Sequence, residues 1–131
     1  LQSESVKEKA KELVSARELS DNNIYVVSKR LDGYAPDTLV NLTDAIKSSM
    51  GNNAVSMLAG AYEGKAFVVV GVTQDLSKGV VDARAIIKTI SSAISGGGGG
   101  RPDLAQAGGK DISRLDEALE AGKKAVKEIK R

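Results

Sequence analysis

Apolar residues recur along this chain with changing periods, and the changes divide it into elements. Val6, Ala10, Leu13 and Val14 fall at helical spacing, so Leu1–Leu19 is predicted as a helix. Glu8 and Lys11 are spaced to pair on one of its faces. The stripe is narrow and built of small residues, too weak to hold a helix alone, and it begins as the end of a longer helical linker would. Ser20-Asp21-Asn22-Asn23 breaks it. Ile24–Ser28 is apolar and β-branched, the mark of a buried strand. Pro36 and Asp37 then open a helix, proline in the first turn and the acid at the positive end. Its inner face is Leu39, Leu42, Ala45, Ile46 and Ser49, and Gly51-Asn52-Asn53 ends it.

Two apolar runs follow, Ala54–Gly60 and Ala66–Val72, at hairpin spacing around Gly64. Phe67-Val68-Val69-Val70 lacks alternation, as a strand covered on both faces does. Asp82 is placed to cap a helix whose core face is Ile86, Ile87, Ile90, Ala93 and Ile94. Ser113-Arg114-Leu115-Asp116 resembles a capping box for a last helix with Leu115, Ala118, Leu119, Gly122, Val126 and Ile129 inside. The order β-α-β-β-α-loop-α predicts an α/β fold: a mixed sheet of three to five strands covered by helices. The first two strands lie parallel through a right-handed crossover, the second and third antiparallel. Leu104–Gln106 is a candidate short edge strand. Residues 1–20 are expected to form a helical segment, the end of a linker or an oligomerisation helix, and residues 21–131 a globular domain.

Between the last two helices lies G-G-G-G-G-R-P-D-L-A-Q-A-G-G-K-D, Gly96–Asp111. Five consecutive glycines are costly to order. Either they form a flexible connector or their backbone must come close to something that a Cβ would block. Pro102 stiffens the chain directly after the run. In an ordered loop, backbone N–H groups could converge on an anion with Arg101 and Lys110 as charge partners. The nucleotide-binding P-loop pattern fails, because Gly109-Lys110 is followed by Asp111.

The same block resembles the signature of the C-terminal domain (C-Ala, DHHA1-like) of alanyl-tRNA synthetases, within the domain group that accompanies DHH-type phosphoesterases. V-G-V-T-Q-D-L at Val70–Leu76 and L-D-E-A-L at Leu115–Leu119 agree with it, and the resemblance covers roughly Asn23 to Ala125. In the phosphoesterases a histidine usually follows the glycines; here Arg101 stands there. The resemblance implies a tRNA-binding module of an ATP-dependent alanine–tRNA ligase, gripping the elbow of alanine tRNA so that one molecule serves charging and editing. Its partners would be tRNA and the catalytic and editing domains of the same chain, in the cytoplasm. Alternatives are an oligomerisation module acting through the first helix, or an accessory domain of a DHH-type phosphoesterase. The RNA-contacting residues would be Gly98, Gly99, Gly100, Arg101, Gln106, Gly108, Gly109, Lys110, Lys123 and Lys124. ATP, magnesium and zinc would belong to the parent enzyme, and no cofactor or metal to this segment.

Composition narrows the chemistry. The 131 residues suit one domain with a core. With no cysteine and no histidine there is no disulfide, thiolate, Cys/His zinc site or imidazole base. Aromatic residues number four (Tyr25, Tyr34, Tyr62, Phe67), which argues against gripping single strands by ring stacking. No apolar run is long enough for a membrane span, so a soluble protein is expected. The net charge of +2 arises after residue 100, with eight bases against six acids. Such an excess is first of all a solvated helix tail. Asp103 and Asp111 read as a turn residue and a helix-proximal cap rather than metal ligands. Lys65 and Arg84 read singly as surface charges. Ser91, Ser92 and Ser95 have no base to activate them, so no catalytic activity is expected of this segment.

Overall fold

The computed structural model describes residues 2–130, with side chains from residue 5 onward. The described chain runs α1 (Gln2–Ser15), β1 (Glu18–Leu19), β2 (Tyr25–Arg30), α2 (Pro36–Met50), β3 (Ala54–Tyr62), β4 (Lys65–Val72) and α3 (Gln74–Ser77). It continues through α4 (Ala83–Ala93), β5 (Gly96–Arg101), β6 (Leu104–Gly109), a 3-10 turn (Ile112–Arg114) and α5 (Leu115–Lys127). One mixed sheet of six strands results, in the order β1-β2-β3-β4-β6-β5. β2 and β3 are parallel across α2, and every other pair is antiparallel.

The two apolar faces of the sheet follow from strand alternation. Val55, Met57, Val68 and Val70 meet Ile86, Ile87 and Ile90 of α4 and Leu115, Ala118 and Val126 of α5. Val27, Leu58 and Val69 face the other way, onto Leu39, Leu42 and Ile46 of α2 and Ala10 and Leu13 of α1. The unalternating run in β4 is therefore the double coverage expected of it. The β3–β4 turn is Glu63-Gly64, both at positive φ (48° and 78°), which matches the strand twist.

Four expectations change. The sheet has six strands, because the glycine run and Leu104–Gly109 form a hairpin in place of a loop. The first helix stops at Ser15, and Glu18–Leu19 fold back on β2. The reason is that Ser20–Asn23 is a tight turn, closed by Ser20 N–H to Ile24 O (2.9 Å) and Asn23 N–H to Ser20 O (2.9 Å). Ser113 caps no helix: its hydroxyl donates to Asp111 Oδ1 at 2.6 Å, and α5 begins at Leu115, with Arg114 in the cap position and no side-chain cap. Asp103 is more than a turn residue, as its contacts below show. Asp82, by contrast, caps α4 as expected, accepting from Arg84 N–H at 2.9 Å.

The far end of α5 is tied down by a residue from the β1–β2 turn. Asn22 Nδ2 donates to Val126 O (2.8 Å) in the last turn of α5 and to Ile129 O (2.9 Å) just beyond it, adding to the backbone bond that Val126 O takes from Ile129 N–H (3.2 Å).

Candidate nucleic-acid interface

β5 follows α4 with only Ile94 and Ser95 between, the latter at φ 54° to turn the chain. All six β5 residues are exposed, and the strand forms the free edge of the sheet. Pairing runs from Gly96 opposite Gly109 to Arg101 opposite Leu104. The five glycines divide by parity. A Cβ on Gly96, Gly98 or Gly100 would run into the carbonyl oxygen of Gly108, Gln106 or Leu104 respectively. At Gly98 it would also lie 2.6 Å from Ala107 Cα, closer than a Cβ ever comes. Gly97 and Gly99 differ: nothing lies within 4 Å of the Cβ position, and neither has a positive φ.

The hairpin tip is fixed to the body. Pro102 O accepts from Ala83 N–H (2.8 Å), and Asp103 O accepts from Val72 N–H (2.9 Å) and Lys47 Nζ (3.0 Å). The Asp103 carboxylate, itself only one-fifth exposed, takes Gln74 Nε2 (3.3 Å), Lys47 Nζ (3.4 Å) and Arg101 Nε (3.4 Å). It is thus a half-buried anchor and not a free ligand. Asp111, at the other end, accepts from Ser113 and pairs with Arg114 at 3.5 Å. Among the described residues no three acidic side chains come together as a metal site.

Directly opposed residues of an antiparallel ladder share a face. Ala105 and Ala107 turn inward under α4. The opposite face of the β6–β5 ribbon carries Leu104, Gln106 and Gly108 on β6 and Gly97, Gly99 and Arg101 on β5. α2 lies over β3 and β4 on this side and stops short of that face, so Gly97, Gly99 and Gln106 are exposed. The β4–β6 register sets Phe67 beside Gly108, whose Cβ position is 3.6 Å from the Phe67 ring. Ala66 pairs with Gly109, which brings Lys65 to the end of β6 where Lys110 leaves it. Among the described residues neither Lys65 nor Lys110 makes an ion pair.

Eight of the ten residues singled out in the sequence, Gly98 to Arg101, Gln106, Gly108, Gly109 and Lys110, therefore lie on one hairpin. Arg101 and Lys110 stand at its opposite ends, about 20 Å apart at strand rise, so they do not flank one anion. Lys123 is elsewhere. It pairs with Glu18 of β1 (3.7 Å) and Glu120 (3.5 Å) at the opposite sheet edge, about 24 Å from β5 at ordinary strand spacing. Lys124 follows it, exposed, on α5. Arg84 is taken up by Asp82 at 2.7 Å. Lys65 and Phe67 join the hairpin face through the β4–β6 pairing. No periodicity reveals that pairing, because the strands are not consecutive.

Comparison with known proteins decides the family. A family model described as the DHHA1 domain matches residues 7–128. The chain belongs to the DHHA1 domain family. This DHHA1 domain is 41% identical over 116 residues to an alanine–tRNA ligase of Acetivibrio thermocellus, covering 88% of the chain and 13% of that protein. It is 45% identical over 94 residues to the enzyme of Pseudomonas entomophila, covering 72% of the chain and 10% of that protein. The chain thus spans only a small part of the length of these relatives. The crystal structure of the C-Ala domain from Aquifex aeolicus alanyl-tRNA synthetase superposes with a TM-score of 0.75 at 29% identity, over 85% of this chain and 97% of that one. RecJ of Thermus thermophilus, in complex with Mg2+, shares the fold at TM-score 0.64 and 10% identity, over 95% of this chain and 18% of that one. The resemblance to the C-terminal domain of alanyl-tRNA synthetases therefore holds in sequence and in fold.

Proposed function

We infer that this DHHA1 domain is the tRNA-binding C-terminal module of an alanine–tRNA ligase, and that its glycine hairpin faces the RNA. The kinship with alanine–tRNA ligases over most of the chain carries the reading. The hairpin gives it a surface: an exposed face bare of side chains at Gly97, Gly99 and Gly108, with Arg101 at one end and, at the other, Lys65 and Lys110, which make no ion pair among the described residues. Such a face suits recognition by shape and phosphate contact, since the base edges of A-form RNA are hidden in a deep groove. The module grips the elbow of the tRNA and keeps one molecule available to the charging and editing sites of the parent enzyme. ATP, magnesium and zinc serve those other domains. By itself the segment neither activates alanine nor deacylates tRNA.

A gel-shift titration with alanine tRNA and an unrelated tRNA tests this. Saturable binding of tRNA that is lost on an RNA duplex of equal charge supports it, and binding of tRNA and duplex alike shows a general polyanion binder instead.

A further inference from the structure

Across α2 from the hairpin, the two helices of this layer do not close on each other along their whole length. Thr38, Asn41, Leu42 and Ala45 recur at helical spacing on the side of α2 that faces α1. Lys47, which reaches the hairpin tip, lies half a turn away around the same axis. α1 meets that side of α2 with Ser5, Val6 and Lys9. Most of these side chains are short, and a groove of about 580 Å³ is left between the first halves of the two helices. Leu42 forms its floor, and Val6, Ala45 and Tyr34 stand half-buried along its walls. Among the described residues, the side chains of Tyr34, Thr38, Asn41 and Lys7 make no hydrogen bond or ion pair, and no carboxylate lines the groove. Lys9 is shared with Glu12 at 3.4 Å. A concave, largely apolar site of this size with a few polar groups at its border is the form that small-molecule sites take.

We propose that this groove binds a small amphipathic anion, a carboxylate with an aliphatic body, laid on Val6, Leu42 and Ala45 with its charged head at Lys7 and Lys9. Charge decides the head. Two ammonium groups border the groove with the hydroxyls of Tyr34 and Thr38 and the Asn41 amide as neutral donors, and no acid opposes them. Size decides against larger occupants. The described α1 wall, Ser5 to Lys9, runs only about 6 Å, shorter than the roughly 10 Å that the i to i+7 anchors of a docked helix span. A second copy would need about 800 Å² of surface on each partner. Among the described residues the one large apolar side chain that stands exposed is Leu19, beyond the other end of α1. The groove and the hairpin lie on opposite sides of α2, so a ligand here leaves the RNA face open.

Decanoate below its micelle threshold is the probe, with decanol as the uncharged control and decylammonium as the control of opposite charge. On the unmodified protein, decanoate is expected to move the methyl resonances of Val6, Leu42 and Ala45 saturably, while those of Ile86 and Ile90 under α4 stay in place. Decanol should need at least tenfold more for the same shift, and decylammonium should leave the groove resonances unmoved. Lys7→Gln with Lys9→Gln is expected to weaken decanoate at least tenfold and leave decanol unchanged. Ala45→Trp fills the groove from the α2 side and should abolish the binding of both at an unchanged melting midpoint. Groove resonances that ignore decanoate, or that respond alike to all three compounds, overturn the proposal. So does self-association in sedimentation that shifts Val6 and Ala45 without any ligand, since the groove then belongs to a second copy.

Discussion

At the scale of single residues, neighbours of one type in the sequence do different work. Gly98→Ala must push the hairpin strands apart, because its Cβ would sit 2.6 Å from Ala107 Cα with backbone behind it. We expect a loss of about 1–3 kcal/mol, as for other overpacked sites, read as a lower urea midpoint. Gly99→Ala meets nothing and should leave stability unchanged or slightly raised through the unfolded chain. Equal costs for the two would contradict the parity of the face. Asn22→Ala removes both bonds that hold the end of α5. It should cost about 1–2 kcal/mol, where a solvated turn residue would cost nothing measurable.

At the scale of elements, the helices and central strands were legible because each carries its own period and its own stop. The capping of α4 by Asp82 and the Glu63-Gly64 turn are local chemistry, readable in place. The hairpin was hidden, because five glycines carry no alternation to read, and the strand they form is dictated by β6 and α4 rather than by its own side chains. β1 was hidden for the opposite reason: Glu18 and Leu19 continue a helical pattern until the Ser20–Asn23 turn folds them back. The candidate site was thus half visible, its glycines and Arg101 in the sequence, Lys65 and Phe67 only through the sheet order. α1 raises an element-scale prediction of its own. It buries Ala10 and Leu13 over α2, while the larger core under α4 and α5 lies on the other face of the sheet. Deleting residues 1–18 should lower the midpoint of unfolding yet leave one cooperative transition. Loss of that transition would make α1 part of the indivisible core.

At the scale of the whole molecule, charge sets the response to pH and to the partner. The Arg30 guanidinium hydrogen-bonded to Asp32, helped by the Ala61 N–H, holds that carboxyl below its usual range, and Arg84 does the same for Asp82. Groups with depressed folded values contribute stability that is present above the ordinary carboxylate range, near pH 4, and is lost as pH falls through their lowered values. With no histidine in the chain, stability should be level between about pH 5 and 7 and decline below about pH 4, which thermal melts across that range will show. The central claim is that RNA is held on the glycine hairpin at one sheet edge and not on α5 at the other. The direct measurement is the affinity for alanine tRNA of two double variants, Arg101→Ala with Lys110→Ala and Lys123→Ala with Lys124→Ala, each against wild type at several salt concentrations. The hairpin pair is expected to weaken binding by at least tenfold and to flatten the salt dependence by up to about two charges, while the α5 pair changes binding far less. A larger loss from the α5 pair, with the hairpin pair binding like wild type, would contradict it.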